Sequence, residues 1–349
     1  MTRPAFFGRL HSSFPIFLFS LTLFLSATLM FVAQLIIGKQ MLPMVGGSPS
    51  GWLVALSYFQ LVLLAGYAFA HWLTRFTPFI HGLVVIAVLL IGIMSLPLHL
   101  GAGLAKVLAP NAGDVFLSLL ISLSIPFLGL CMLSPSLQRL FAVRSQRRDP
   151  YFLFAASNAG SFIGLFLYPL VVERFFGLVA QSHYWQIGYY TLILCCIFCF
   201  IVTDNKMVMT AKEVKTISID RRMAFLLVVL SFIPSSLTSA LTTKITMDGG
   251  AIPFFWSIPL AFYLLTLVMA FSQSEKKSPK ILAVLQPFAL VPLLYTTMVY
   301  PLLAAWNVVY VLPYILTFCV TTLFCHYRLA QLRPVPAQLT SFYLYIALG

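Results

Sequence analysis

Ten apolar runs, each about twenty residues long, dominate this chain of 349 residues. They lie at 14–38, 51–73, 79–97, 113–133, 150–171, 186–203, 223–241, 251–272, 281–299 and 302–325. A helix rises about 1.5 Å per residue, so about twenty apolar residues cross a hydrocarbon core about 30 Å thick. Lipid offers the backbone no hydrogen-bonding partner, so such runs must satisfy their own peptide groups as helices. The predicted fold class is all-α, a polytopic helical membrane protein with ten full spans. An eleventh run begins near Gln338 and reaches Gly349 after twelve residues. That is about 18 Å of helix, and the reading expects a truncated eleventh span.

Charge supports this map. Only 8% of residues are charged and 61% are hydrophobic, against about 25% charge in soluble domains. With the N-terminus inside, seventeen of the 21 basic residues fall on inside segments. Lys39, Lys106, Arg174 and Lys244 fall outside. This is the asymmetry expected of a multi-pass protein with a cytoplasmic N-terminus. The net charge of +13 is thus a topology signal, with the lipid bilayer as the expected partner and nucleic acid excluded. The six cysteines lie in or at the ends of spans and form no extracellular disulfide framework. Cys195-Cys196-x-x-Cys199 lacks the further ligands that zinc needs. No metal and no cofactor is expected.

Segments six spans apart are alike. Gly46-Gly47 with Pro49 and Trp52 opens span 2, and Gly249-Gly250 with Pro253 and Trp256 opens span 8. Tyr151-Phe-Leu-Phe-Ala-Ala enters span 5, and Phe342-Tyr-Leu-Tyr-Ile-Ala enters span 11. An even offset keeps the orientation, as in carriers built from two parallel six-helix halves. The reading divides the chain into 1–222, a first six-span half, and 223–349, a second half truncated in span 11. Chance recurrence of Gly, Pro and aromatics at interfaces is the alternative.

Three stretches carry a family resemblance. The first runs from Leu25-Ser26-Ala27 through Leu42-Pro43 and Gly46-Gly47-Ser48-Pro49 to Gly66-Tyr67-Ala68-Phe69-Ala70-His71. The second is Pro150-Tyr151-Phe152-Leu153-Phe154-Ala155-Ala156-Ser157-Asn158-Ala159-Gly160-Ser161 with Tyr168-Pro169 and Trp185. The third is Pro234-Ser235-Ser236-Leu237 with Pro253, Trp256 and Ile258-Pro259-Leu260-Ala261. Together they resemble the membrane half of the fused major-facilitator/spermidine-synthase proteins. The resemblance implies a bacterial inner membrane and a polyamine-related soluble domain beside the membrane one. The α/β domain and Gly-rich turn that aminopropyl transfer needs are not in this sequence, so no enzyme activity is expected unless such a domain is joined. Gly160-x-x-x-Gly164, inside an apolar run, reads as a helix-packing motif and not as a nucleotide loop. The loop between spans 2 and 3, Thr74-Arg75-Phe76-Thr77-Pro78, lacks the basic, Gly- and Asp-containing pattern usual in major-facilitator carriers.

Polar residues inside spans are costly and mark candidate sites. The candidate substrate-binding set is Gln34, Tyr58, Gln60, Tyr67, His71, Asn158, Ser161, Ser235, Ser236, Thr242, Trp256 and Tyr263. Gln60, Tyr67 and His71 share one helical face. This set would line a cavity between spans 1, 2, 5, 7 and 8; the competing reading is hydrogen bonding that only holds the bundle together. Asp114, Glu173 and Asp248, at outer ends of spans, are candidate entrance acids or simply solvated loop-end residues. None of the eight acids falls at mid-membrane, which weighs against a polycation such as a polyamine as cargo. His326 reads as an interfacial residue. Two functions follow: a transporter-like domain that binds or moves a small polar molecule, or a membrane anchor for a cytoplasmic synthase-like domain or subunit.

Overall fold

A computed structural model describes residues 5–45, 49–100, 111–145, 151–202, 219–249, 253–272, 280–303, 308–335 and 338–349. Among them there is no strand. The long helices are α1 (Ala5–Val45), α2 (Pro49–Trp72), α3 (Pro78–Gly92), α4 (Ala112–Ser145), α5 (Tyr151–Leu167), α6 (Leu178–Val202), α7 (Arg221–Gly249), α8 (Pro253–Phe271), α9 (Lys280–Leu303) and α10 (Val308–Gln331). A shorter α11 covers Leu339–Leu348. Each predicted span has its helix. Eight of them, α1–α7 and α9, are long and apolar enough to cross a membrane, and α8 adds a shorter apolar stretch, Ser257–Phe271. The chain is a multi-pass membrane protein.

Boundaries differ from the hydropathy reading where polar residues are satisfied inside a helix. Helix α6 starts eight residues earlier than read. Gln181 Nε2 donates to Phe176 O at 2.7 Å and Ser182 Oγ to Leu178 O at 3.1 Å, so both buried residues give their protons to local carbonyls, while Gln181 Oε1 is left without a partner. Helix α4 continues past its apolar run to Ser145, so Gln138 and Arg139 are helical and not loop residues. After α5 the coil widens into a π segment, Tyr168–Val172, followed by a further helical turn, Glu173–Phe175. Pro169 sits in it and has no N–H to give the preceding turn.

Close packing depends on small residues. A Cβ on Gly160 would collide with the Phe24 carbonyl of α1, and one on Gly164 would lie 2.8 Å from Thr28 O. Thr28 Oγ1 donates to Gly160 O at 3.0 Å. The Gly160-x-x-x-Gly164 pair thus seats α5 on α1, as a small-residue contact does in lipid. Helix α6 closes on the same α1: Trp185 Nε1 donates to Leu29 O at 2.7 Å, and a Cβ on Gly188 would meet the Leu29 side chain at 2.7 Å.

The packing partners recur six helices on. α1 packs on α5, and α7 on α11; α2 on α4, and α8 on α10; α3 on α4, and α9 on α10; α1 on α4, and α7 on α10. Contacts between the two groups follow the same rule, since α2 meets α11 and α8 meets α5. Advancing six helices exchanges those two pairs, as a two-fold axis between the groups requires.

Candidate functional site

The end of the bundle where α1 begins is also where α2, α4, α8 and α10 finish and α5, α7 and α11 start; it is the N-terminal end below. Four rings from four helices meet there. Phe271 of α8 lies 4.6 Å from Phe154 of α5, Phe154 lies 5.6 Å from Tyr343 of α11, and Tyr343 lies 5.8 Å from Tyr67 of α2. The row α8–α5–α11–α2 maps onto itself reversed when six helices are added, so the pseudo-axis passes between Phe154 and Tyr343. Two polar contacts lock it. Tyr343 Oη donates to Gln138 Oε1 at 2.7 Å, and His71 Nδ1 meets Thr340 Oγ1 at 2.9 Å. Gln138 is itself held through Nε2 on Ser134 Oγ at 3.0 Å. Burying these rings and satisfying every one of these polar groups makes a plug that joins the two groups of helices.

Further into the bundle the polar groups are less settled. Tyr263 of α8 is half-buried, pairs with Ser235 of α7 and comes close to Tyr67 across the group boundary. The His326 ring of α10 stands perpendicular to the Tyr263 ring, with centroids 4.9 Å apart. Thr266 Oγ1 lies 2.8 Å from Tyr263 O and 3.0 Å from His326 Nδ1. That hydroxyl proton can turn to either acceptor, and the contact with Nδ1 engages one of the two ring nitrogens. The other, Nε2, has no partner, nor has Thr322 Oγ1 one turn earlier on α10, and both residues are fully buried. Buried polar atoms without partners are costly, so this face is a place to look for a ligand. The sequence reading left His326 at an interface. Its four-residue spacing from Thr322 was the available signal.

The predicted set divides. Tyr67, His71, Ser235 and Tyr263 lie where the two groups meet. Gln60 is exposed on the helical face whose later turn, at Tyr67 and His71, α11 covers. Gln34 is half-buried on α1. Tyr58 does not face a cavity. It is fully buried inside the first group, with Oη 3.4 Å from Ser124 Oγ and its ring on Phe116, because its side of α2 is the one packed on α4. Ser236 points outward with Phe232 and Phe225, four and eleven residues earlier on the same helical stripe, and not inward with Ser235. Asn158, Ser161 and Thr242 are buried and donate to carbonyls one turn back, at 2.9, 3.3 and 2.7 Å. The Trp256 and Asp248 side chains lie outside the described residues.

The remaining candidate entrance acids are engaged locally. Asp114 Oδ2 accepts from Asn111 N at 3.0 Å while Asn111 Oδ1 accepts from Gly113 N and Asp114 N, which caps α4. Glu173 Oε1 is paired with Lys39 Nζ at 2.9 Å.

This architecture is a major-facilitator-like membrane fold. The chain is similar in structure to XylE, a sugar transporter, in a crystal structure of a double-tryptophan mutant. The TM-score is 0.54, over 95% of this chain and 85% of that chain, at 13% identity. No protein-family model matches the sequence, and no curated protein matches it.

Proposed function

We propose that the chain is the membrane domain of a carrier that binds a small, uncharged polar molecule between residues 1–222 and 223–349. The observation that carries this reading is the plug: four rings and two polar locks tie the groups at the N-terminal end, while the Gln60 side of the same interface is exposed. A bundle shut at one end and accessible above it suits alternating access. The unpartnered ring nitrogen of His326 and the α7 hydroxyl stripe suit a ligand that brings hydroxyl or amide groups. A polyamine fits poorly, since a cation at that depth needs a carboxylate and none of the described acids is placed there.

The basic asymmetry supports a cytoplasmic N-terminal end, which makes the plug an inner gate, and the family resemblance supports a bacterial inner membrane. The same resemblance supports a spermidine-synthase-like domain or subunit docked on that side, which co-purification tests. The carrier reading is tested on the full chain in nanodiscs by thermal unfolding with D-xylose, myo-inositol and spermidine. The neutral polyols are expected to stabilise it and spermidine to have no effect. Alkylation of the native Cys131, buried near Tyr67, is expected to speed up at least tenfold in Tyr343→Ala, which unlocks the plug. No shift with either polyol, together with unchanged Cys131 alkylation, would sink the reading.

A further inference from the structure

Arg139 lies near the C-terminal end of α4, half-buried, beside the turn that joins α2 to α3. Its Nη2 donates to Thr74 O at 3.0 Å and its Nη1 to His81 Nδ1 at 2.9 Å. A guanidinium has no lone pair to offer, so His81 Nδ1 must be the acceptor. The neutral ring then carries its hydrogen on Nε2, which reaches Ser136 Oγ at 2.8 Å. His81 and Ser136 are buried. Every partner in this cluster is neutral. The ion pair Lys39–Glu173 lies at the other end of the bundle. A half-buried guanidinium therefore keeps a whole positive charge, and two of its five N–H donors are spoken for. The rigid mounting fixes where the rest can reach.

The surroundings name the anion's source. Trp72, at the end of α2, stacks on Phe69 with centroids 5.7 Å apart and meets Phe76 edge-on at 5.1 Å. Trp72, Phe76 and Phe79 are 44%, 39% and 41% exposed. Exposed aromatic rings at helix ends mark the headgroup level of a bilayer, and a planar guanidinium binds a phosphate with two parallel hydrogen bonds. We propose that Arg139, held by Thr74 and His81 and flanked by the Trp72 aromatic cluster, is a binding site for the phosphodiester of an anionic phospholipid. The lipid supplies the counter-charge that the protein withholds, and its acyl chains lie along the exposed apolar faces of α2 and α3. This site is independent of the carrier reading, because it lies outside the interface between the two groups.

The test uses the full chain in detergent, with phosphatidylglycerol, phosphatidylcholine or inorganic phosphate added, read by native mass spectrometry and thermal unfolding. Phosphatidylglycerol is expected to persist as a one-to-one adduct and raise the melting temperature; phosphatidylcholine is not. Arg139→Gln should weaken the adduct at least tenfold. Arg139→Lys, which keeps the charge and loses the fork, should fall between and guards against a variant that fails to fold. Trp72→Ala should weaken the lipid adduct alone. A shift with inorganic phosphate equal to that with phosphatidylglycerol would assign the anion site to soluble phosphate and overturn the lipid. Adducts of phosphatidylglycerol undiminished in either Arg139 variant, or matched by phosphatidylcholine, would overturn the site altogether.

Discussion

Helices α1 and α7 occupy equivalent places in the two groups, yet one is covered on a face that the other leaves bare. The shift of 203 residues that carries Gly47 to Gly250 carries Thr22 to Phe225 and Leu29 to Phe232. Thr22 and Leu29 are 0% and 7% exposed under α6, where Thr22 Oγ1 meets Cys199 Sγ at 3.3 Å. Phe225 and Phe232 are 67% and 58% exposed. The apolar character is shared and the packing is not. In lipid, an apolar residue gains little by moving from acyl chains to protein, so close fit and hydrogen bonds decide which faces pair. The first group has that fit in Gly160, Gly164, Gly188 and the Trp185 bond.

The largest effect should come from breaking the closest approach. Gly160→Leu drives a side chain into the α1 backbone at Phe24, which has no room to yield. It is expected to leave no monodisperse peak in size-exclusion chromatography. Gly160→Ala should fold with a loss of about 1–3 kcal/mol, measured by denaturant titration in micelles. A Gly160→Leu protein as stable as the unmodified chain would show that the α1–α5 seat is not what holds the first group.

The pair of equivalent positions gives the sharpest contrast. Leu29→Ala should cost about 2–5 kcal/mol, because it empties a packed site beneath Gly188. Phe232→Ala should stay within about 0.5 kcal/mol, as a change on a face that packs nothing. Equal losses at both positions would mean that the α7 face is covered in the membrane. A smaller effect is expected of Trp185→Phe, which keeps the ring and removes the bond to Leu29 O. A cross-helix bond of this kind is worth about 0.6–2 kcal/mol in a membrane.

Much of this was legible in the sequence, for physical reasons that can be named. Span positions follow from apolar length alone, and Gly160-x-x-x-Gly164 from the need for small residues between helices. Tyr67, His71, Ser235 and Tyr263 stood out in the sequence because polar groups inside apolar spans are costly wherever they face. Which way they face is another matter. Tyr58 and Ser236 obey the same cost rule, but one is sealed against Phe116 and the other shares a stripe with Phe232. Helical periodicity separates Ser235 from Ser236; it does not say which of the two is inside. The plug joins residues up to 276 positions apart, Tyr67 to Tyr343, and no local pattern encodes such a pairing. Arg139 was read as a loop charge because α4 outlasts its apolar run.

The smallest effect concerns the acid that the sequence offered as a cation-attracting entrance. Glu173 and Lys39 tie the Glu173–Phe175 turn that follows α5 to α1 at 2.9 Å, with both side chains 31% exposed. Nearby, Gln40 holds Leu98 O and Ser182 Oγ through Nε2 and accepts from Leu100 N, so the chain is fastened there without the ion pair. A partly solvated pair is worth about 0–1 kcal/mol and is weakened by salt. Glu173→Gln and Lys39→Met should therefore each lower stability by less than about 1 kcal/mol, and the double variant should lose no more than either single one. If Glu173 instead draws cations toward the interface, Glu173→Gln would weaken a cationic ligand such as spermidine while leaving myo-inositol unchanged. The pairing with Lys39 leaves it no charge to spare for that task, so Glu173→Gln should leave the effect of each ligand as it is in the unmodified chain.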